Sequence, residues 1–137
     1  MIVVSACLAG MHCRYDRQTK EDEEVVRLIK EGKAIPVCPE MLGGMTTPRP
    51  PSERTPDGKR VVNIEGKDVS DAFEFGALET LRICKLYNVN HAILKARSPS
   101  CGLGMIYDGS FTGAQREGNG VTTDLLLANG IIVTSVD

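Results

Sequence analysis

The chain is predicted to fold as a small α/β three-layer sandwich. A mostly parallel four-stranded sheet in the order 2-1-3-4 forms its centre, with a β-hairpin and a Pro-rich loop appended. Two observations lead there. Short β-branched and aliphatic runs alternate with helical segments, in the order strand, helix, strand, helix, strand, helix, strand. Parallel strands need right-handed crossovers, which leaves few topologies open. The length of 137 residues suits one domain, 1–137. Only three Tyr and three Phe are present and Trp is absent, so the core must be largely aliphatic.

The first strand is Ile2-Val-Val-Ser-Ala6, with Cys7 where it ends, and a loop with Gly and Arg runs from Leu8 to Lys20. Glu21 to Glu24 are four acids in the first turn of a helix, where the macrodipole favours them. Val25, Leu28 and Ile29 carry it at helical spacing to Gly32, which suits the C′ position. Ala34-Ile-Pro-Val37 is the second strand, closed by Cys38. Residues 39–60, with Pro48, Pro50, Pro51 and Pro56, form a long loop. Val61–Ile64 and Lys67–Val69 read as a hairpin across Glu65-Gly66.

Ser70 is placed to cap the longest helix, 71–87, whose Phe73, Ala77, Leu81 and Cys84 share a stripe. His91–Lys95 is the third core strand and leads into Ser98-Pro-Ser-Cys-Gly102. A Gly-rich loop over 102–120 surrounds Ile106-Tyr107 and Asp108-Gly109. A short helix over 121–129 ends at Gly130, and Ile131–Ser135 is the last strand.

The composition is 42% hydrophobic and 25% charged, which indicates neither disorder nor a membrane protein. A formal charge of −2 argues against a duplex nucleic-acid binder, although not against binding a single nucleotide. No apolar run approaches a bilayer span, and the start lacks the basic region of a signal peptide, so a cytoplasmic address is expected. Five cysteines, an odd number, are poorly explained by disulfides in that reducing compartment. Metal ligation, catalysis and burial remain.

Cys7, Cys38 and Cys101 each follow a predicted parallel strand, so the topology brings them to the edge where open α/β folds bind ligands. A structural zinc site usually draws on CxxC pairs, and the chain has none. Three thiolates would suit an iron–sulfur cluster with one iron open to substrate. Equally, the thiols could be unrelated small core residues. Glu40, Ser98 and Ser100 flank these cysteines and could move protons, or could be a surface acid and turn-forming hydroxyls. Cys84 belongs to the helix stripe and Cys13 reads as a bystander. Arg14, Arg49, Arg54 and Arg97 could meet an anionic group or stay in solvent.

Specific blocks then stand out: Ser5-Ala-Cys7-Leu-Ala-Gly10, Cys13-Arg-Tyr-Asp16, Pro36-Val-Cys38-Pro-Glu40, Thr47-Pro-Arg-Pro-Pro51, Ser98-Pro-Ser-Cys-Gly102, Phe111-Thr-Gly113 and Gly118-Asn-Gly-Val121. Over nearly its whole length the chain resembles the thiouracil desulfidase family, short bacterial proteins formerly catalogued as a domain of unknown function. The resemblance implies a [4Fe-4S] cluster with three cysteine ligands, here Cys7, Cys38 and Cys101, and one open iron. That iron would take the sulfur of a small thiolated pyrimidine such as thiouracil, and water would replace it without net redox change. Glu40 and Ser98 match the family's acid–base pair; Ser100, Arg14 and Arg49 are assigned to substrate binding. Relatives often carry Gly where this chain has Arg17. Two other readings use the same thiols: a non-catalytic sulfur- or metal-binding module and a zinc-stabilised domain.

Overall fold

The computed structural model describes all 137 residues. In chain order they form β1 (Ile2–Ser5), a 3-10 turn (Ala6–Ala9), α1 (Glu23–Lys30), β2 (Ala34–Val37), α2 (Pro39–Leu42), β3 (Ser52–Arg54) and β4 (Val61–Asn63). There follow α3 (Ser70–Leu86), β5 (His91–Lys95), β6 (Met105–Tyr107), β7 (Gln115–Glu117), α4 (Val121–Ala128) and β8 (Ile132–Val136). The central sheet has the order β2-β1-β5-β8, every pair parallel. This is the predicted 2-1-3-4 arrangement, with β5 and β8 as the third and fourth core strands.

Alternation along each strand divides the core in two. Val3, Val37, Ala92, Leu94 and Val133 face α3 and α4, meeting Leu81, Cys84 and Leu126. Val4 and Ala34 turn the other way, onto Val25 of α1 and the Leu8 side chain of the 3-10 turn. Val3, Val4, Leu8, Leu94 and Leu126 are all 0% exposed. Each such side chain contributes roughly 1.5–3 kcal/mol by leaving water.

Helix α1 starts two residues later than the acid run suggests. The Asp22 carboxylate accepts the Val25 N–H at 3.1 Å and caps it, leaving Glu23 and Glu24 in the first turn. Ser70 corrects another expectation. It lies inside α3 rather than capping it, because its Oγ accepts the Val61 N–H at 2.9 Å and so ties the helix to β4.

Two separate two-stranded sheets flank the central one, and in them β3, β6 and β7 stand where the sequence predicts loop. Ser52–Arg54 pairs antiparallel with Val61–Asn63, and Met105–Tyr107 pairs antiparallel with Gln115–Glu117. The expected hairpin over 61–69 closes through Val69 N–H to Val61 O at 2.9 Å and Asn63 N–H to Lys67 O at 2.9 Å. Its second arm, however, makes only a single bridge, Val62 to Asp68. The fuller partner of β4 comes from the Pro-rich stretch, at the point where prolines stop blocking N–H donors.

Helix α2 follows directly on β2, with Pro39 at its first position, where a missing N–H costs nothing. It is seated backbone to backbone on α3. A Cβ at Gly76 would stand 1.8 Å from the Pro39 carbonyl oxygen, and one at Gly43 would stand 2.0 Å from that of Ala72. This contact sets where Cys38 and Glu40 can be. In an ordinary helix interior Gly→Ala stabilises by about 1 kcal/mol. Here Gly76→Ala is expected to reverse that sign and cost about 1–3 kcal/mol by overpacking, read as a lowered urea midpoint at unchanged slope.

Candidate functional site

Beyond the carboxyl ends of the parallel strands lies a cavity of about 400 Å³. The sheet edge bounds it on one side, through the exits of β1, β2 and β5. On the other it meets the loops around the two antiparallel pairs. All the predicted site residues line it: Cys7, Cys38 and Cys101, together with Glu40, Ser98, Ser100, Arg14 and Arg49.

Each thiol reaches the cavity by a different local device. Cys7 sits in the tight turn after β1, its carbonyl taking the Thr19 hydroxyl at 2.7 Å. Cys38 is the residue between β2 and α2. Cys101 lies beyond β5 rather than at its end, in a turn closed by Gly102 N–H to Ser98 O at 2.9 Å. The first turn of α4 grips that turn. The Val121 N–H donates to Pro99 O at 2.9 Å and the Thr123 hydroxyl to Cys101 O at 2.9 Å. A Cβ at Gly120 would come within 2.3 Å of the Ser100 carbonyl carbon, so only glycine permits the approach.

A polar chain runs along the cavity wall. Ser100 Oγ donates to Glu40 Oε2 at 2.9 Å. Ser98 Oγ lies 3.3 Å from Ser100 Oγ, which also stands 3.7 Å from Cys101 Sγ. Ser98 Oγ also accepts the Cys101 N–H at 2.7 Å. The sequence favoured Ser98 over Ser100; in the structure Ser100 touches the carboxylate and Ser98 reaches it only through Ser100. Arg49 holds the other end, donating from Nε to Glu40 Oε1 at 3.1 Å. Its remaining bonds go to Thr46 O at 3.0 Å, Thr47 Oγ1 at 2.8 Å and Cys13 O at 3.0 Å. With its side chain 4% exposed, Arg49 stands behind Glu40 as a brace.

The thiols differ electrostatically. Burial pushes Cys101 up to about 12, opposed by hydrogen bonds from Ser5 and Ser100. Burial also raises Cys7, opposed by the positive charges of Arg14 and Lys95. Cys38 is lowered to about 7, chiefly by a hydrogen bond from the Cys13 thiol, and Cys13 is raised by that same contact. Cys13 is therefore no bystander to the geometry. It is buried, lines the cavity and lies against Cys38. No sequence spacing signals this, since the loop that returns it is irregular.

Lys95, Tyr15, Glu53, Tyr107 and Phe111 also line the cavity and were not singled out as site residues. Lys95 ends β5, the position where strand exits collect functional groups, and desolvation lowers its pKa. Other candidates lie elsewhere: Arg54 pairs with Asp124 at 2.6 Å, Arg97 with Asp137 at 2.6 Å, and Cys84 is in the core as expected. No three His, Cys, Asp or Glu groups close tightly enough to share one ion. Three thiols lining one cavity are the donor type an iron–sulfur cluster takes, its ligands binding separate irons.

The model of the 2-thiouracil desulfurase family matches residues 2–137. An uncharacterized Bacillus subtilis (strain 168) protein, YbbK, is 42% identical over 143 residues, covering 98% of this chain and 95% of its own. A solved structure, the [4Fe-4S]-dependent thiouracil desulfidase TudS (DUF523Vcz), superposes with a TM-score of 0.92 at 46% identity, over 98% of this chain and 89% of that one.

Removing one partner of a buried ion pair leaves the other charge uncompensated. Arg49→Met is expected to cost about 3 kcal/mol at neutral pH, with most of that cost vanishing in a Glu40→Gln background. Denaturant titration of the two single variants and the double variant checks the coupling.

Proposed function

Because the chain belongs to the 2-thiouracil desulfurase family, we propose that it replaces the sulfur of a thiolated pyrimidine such as thiouracil with oxygen from water. The reaction is non-redox, releases hydrogen sulfide and depends on a [4Fe-4S] cluster. The observation that supports it most is the meeting, in one cavity, of three thiols from separate strand exits with the Ser98–Ser100–Glu40 chain. The whole chain, 1–137, acts as one domain. No helix is long and apolar enough to cross a membrane, and all the cysteines are free, which suits a reducing, cytoplasmic setting.

Cys7, Cys38 and Cys101 would hold the cluster. When bound, it supplies a soft Lewis acid, at the iron no cysteine occupies, for a thiocarbonyl sulfur. The protein's own groups do the rest. Glu40 takes a proton from the attacking water, either directly or through Ser100. Ser98 continues that path and also fixes the Cys101 backbone. Arg49 keeps the carboxylate turned toward Ser100. Arg14 and Lys95 offset negative charge beside Cys7. Thiouracil and water balance against uracil and hydrogen sulfide.

Oxygen-free protein is expected to carry iron and sulfide near four of each, with Cys7→Ala, Cys38→Ala and Cys101→Ala each losing most of both. It should convert 2-thiouracil to uracil. Glu40→Gln is expected to keep its iron and lose about 10²–10⁴-fold in kcat, the range for general acid–base groups. Ser100→Ala should lose more than Ser98→Ala, since it severs the chain at the carboxylate. A colourless protein with stoichiometric zinc would favour the zinc-stabilised domain instead.

A further inference from the structure

Tyr15, Tyr107 and Phe111 line one cavity in a protein with only three Tyr and three Phe. Phe111 is the unusual member. Its φ is +58°, a left-handed conformation in which a bulky L residue is a genuine outlier. Such strain persists only where surroundings over-determine it, and it gathers at ligand-contacting positions.

The device that holds it is visible. One carboxylate oxygen of Glu53, on β3, accepts both the Gly109 N–H at 2.9 Å and the Phe111 N–H at 3.1 Å. Gly109 packs against the same strand, where a Cβ would stand 3.1 Å from the Arg54 carbonyl oxygen. β3 is itself anchored, through Arg54 Nη1 to Asn119 O at 2.7 Å and Arg116 Nη2 to Thr55 O at 2.9 Å. A rigid strap thus carries a strained aromatic side chain to the wall of the cavity. Burying that ring in a core would require none of this.

We infer that Phe111 is a specificity-determining residue, a flat apolar wall on which a heteroaromatic thiocarbonyl ring stacks, and that Glu53 is the residue that positions it. The inference rests on the desulfuration reading and names the residue that favours its planar pyrimidine ring over an open-chain thiocarbonyl. Stacking is tolerant of ring substituents because every such ring has a π-face. The hydrogen-bonding groups of Glu40 and the serines then choose orientation rather than supplying most of the affinity.

The test compares 2-thiouracil with thioacetamide, which keeps the thiocarbonyl and lacks a ring. Wild type, Phe111→Ala, Phe111→Tyr and Glu53→Gln are prepared without oxygen, and uracil binding is followed by calorimetry in parallel. In Phe111→Ala the ratio of kcat/KM for 2-thiouracil to that for thioacetamide should fall about tenfold, mainly through KM for 2-thiouracil. Uracil binding should weaken about as much. Phe111→Tyr should restore both, and Glu53→Gln should give a smaller shift in the same direction. An unchanged ratio and unchanged uracil binding in Phe111→Ala, with iron content and melting point preserved, overturn the inference while leaving desulfuration standing. A wild type that binds uracil yet leaves 2-thiouracil intact sinks the desulfuration reading, and the calorimetry still decides whether Phe111 stacks.

Discussion

Parallel pairing of β1 with both β2 and β5 makes three chain exits emerge on one edge of the sheet. Everything chemical in the molecule is arranged around that edge. Ser5 closes it from within, since its hydroxyl accepts the Lys95 N–H at 2.8 Å and joins two exits side by side. The result is a concentration of thiols taken out of water, which by itself opposes ionisation. Nearby cations and hydroxyls offset that cost unevenly, so that Cys38, Cys7 and Cys101 present different environments to whatever they bind.

The acid at the site is held by a second constraint. A buried ion pair such as Arg49 with Glu40 is seldom worth much in net stability once desolvation is counted. Its geometry is informative for that reason. Arg49 also bonds the Cys13 carbonyl and the Thr46–Thr47 backbone and hydroxyl, so one guanidinium sets the relation between the Pro-rich loop, the cysteine loop and the carboxylate. The serine chain starts from that fixed carboxylate and ends at the backbone of Cys101.

Much of this was legible from residue order. Short β-branched and aliphatic runs in Ile2–Ser5, Ala34–Val37 and His91–Lys95 are a strong signal, and crossover handedness turned them into the correct strand order. Cys7 and Cys38 followed from the strand ends, whereas Cys101 reaches the same cavity through the turn beyond β5. What escaped has short range or no periodicity. Pro39–Leu42 is a single helical turn, too brief for a stripe to show. Ser52–Arg54, Met105–Tyr107 and Gln115–Glu117 are three-residue strands whose pairing is decided by tertiary contacts. Ser70 looked like a cap because a hydroxyl before a helix usually is one; an unpaired Val61 N–H claimed it first. For Arg49, sequence does not show that four of its five N–H donors are engaged by protein groups, one of them on Glu40.

The tight seat of Gly120 under Ser100 has an implication for how such a protein can diverge. The turn carrying Ser98, Ser100 and Cys101 is wedged between α4 and the carboxylate of Glu40, with no slack to widen. Variation in what the cavity accepts must therefore accumulate on the opposite rim, in the strap from β3 and the short β6–β7 ribbon. There the cavity-lining Tyr107 and Phe111 are only partly buried. Descendants of this architecture could trade one guest molecule for another while their reactive hardware stayed frozen in place.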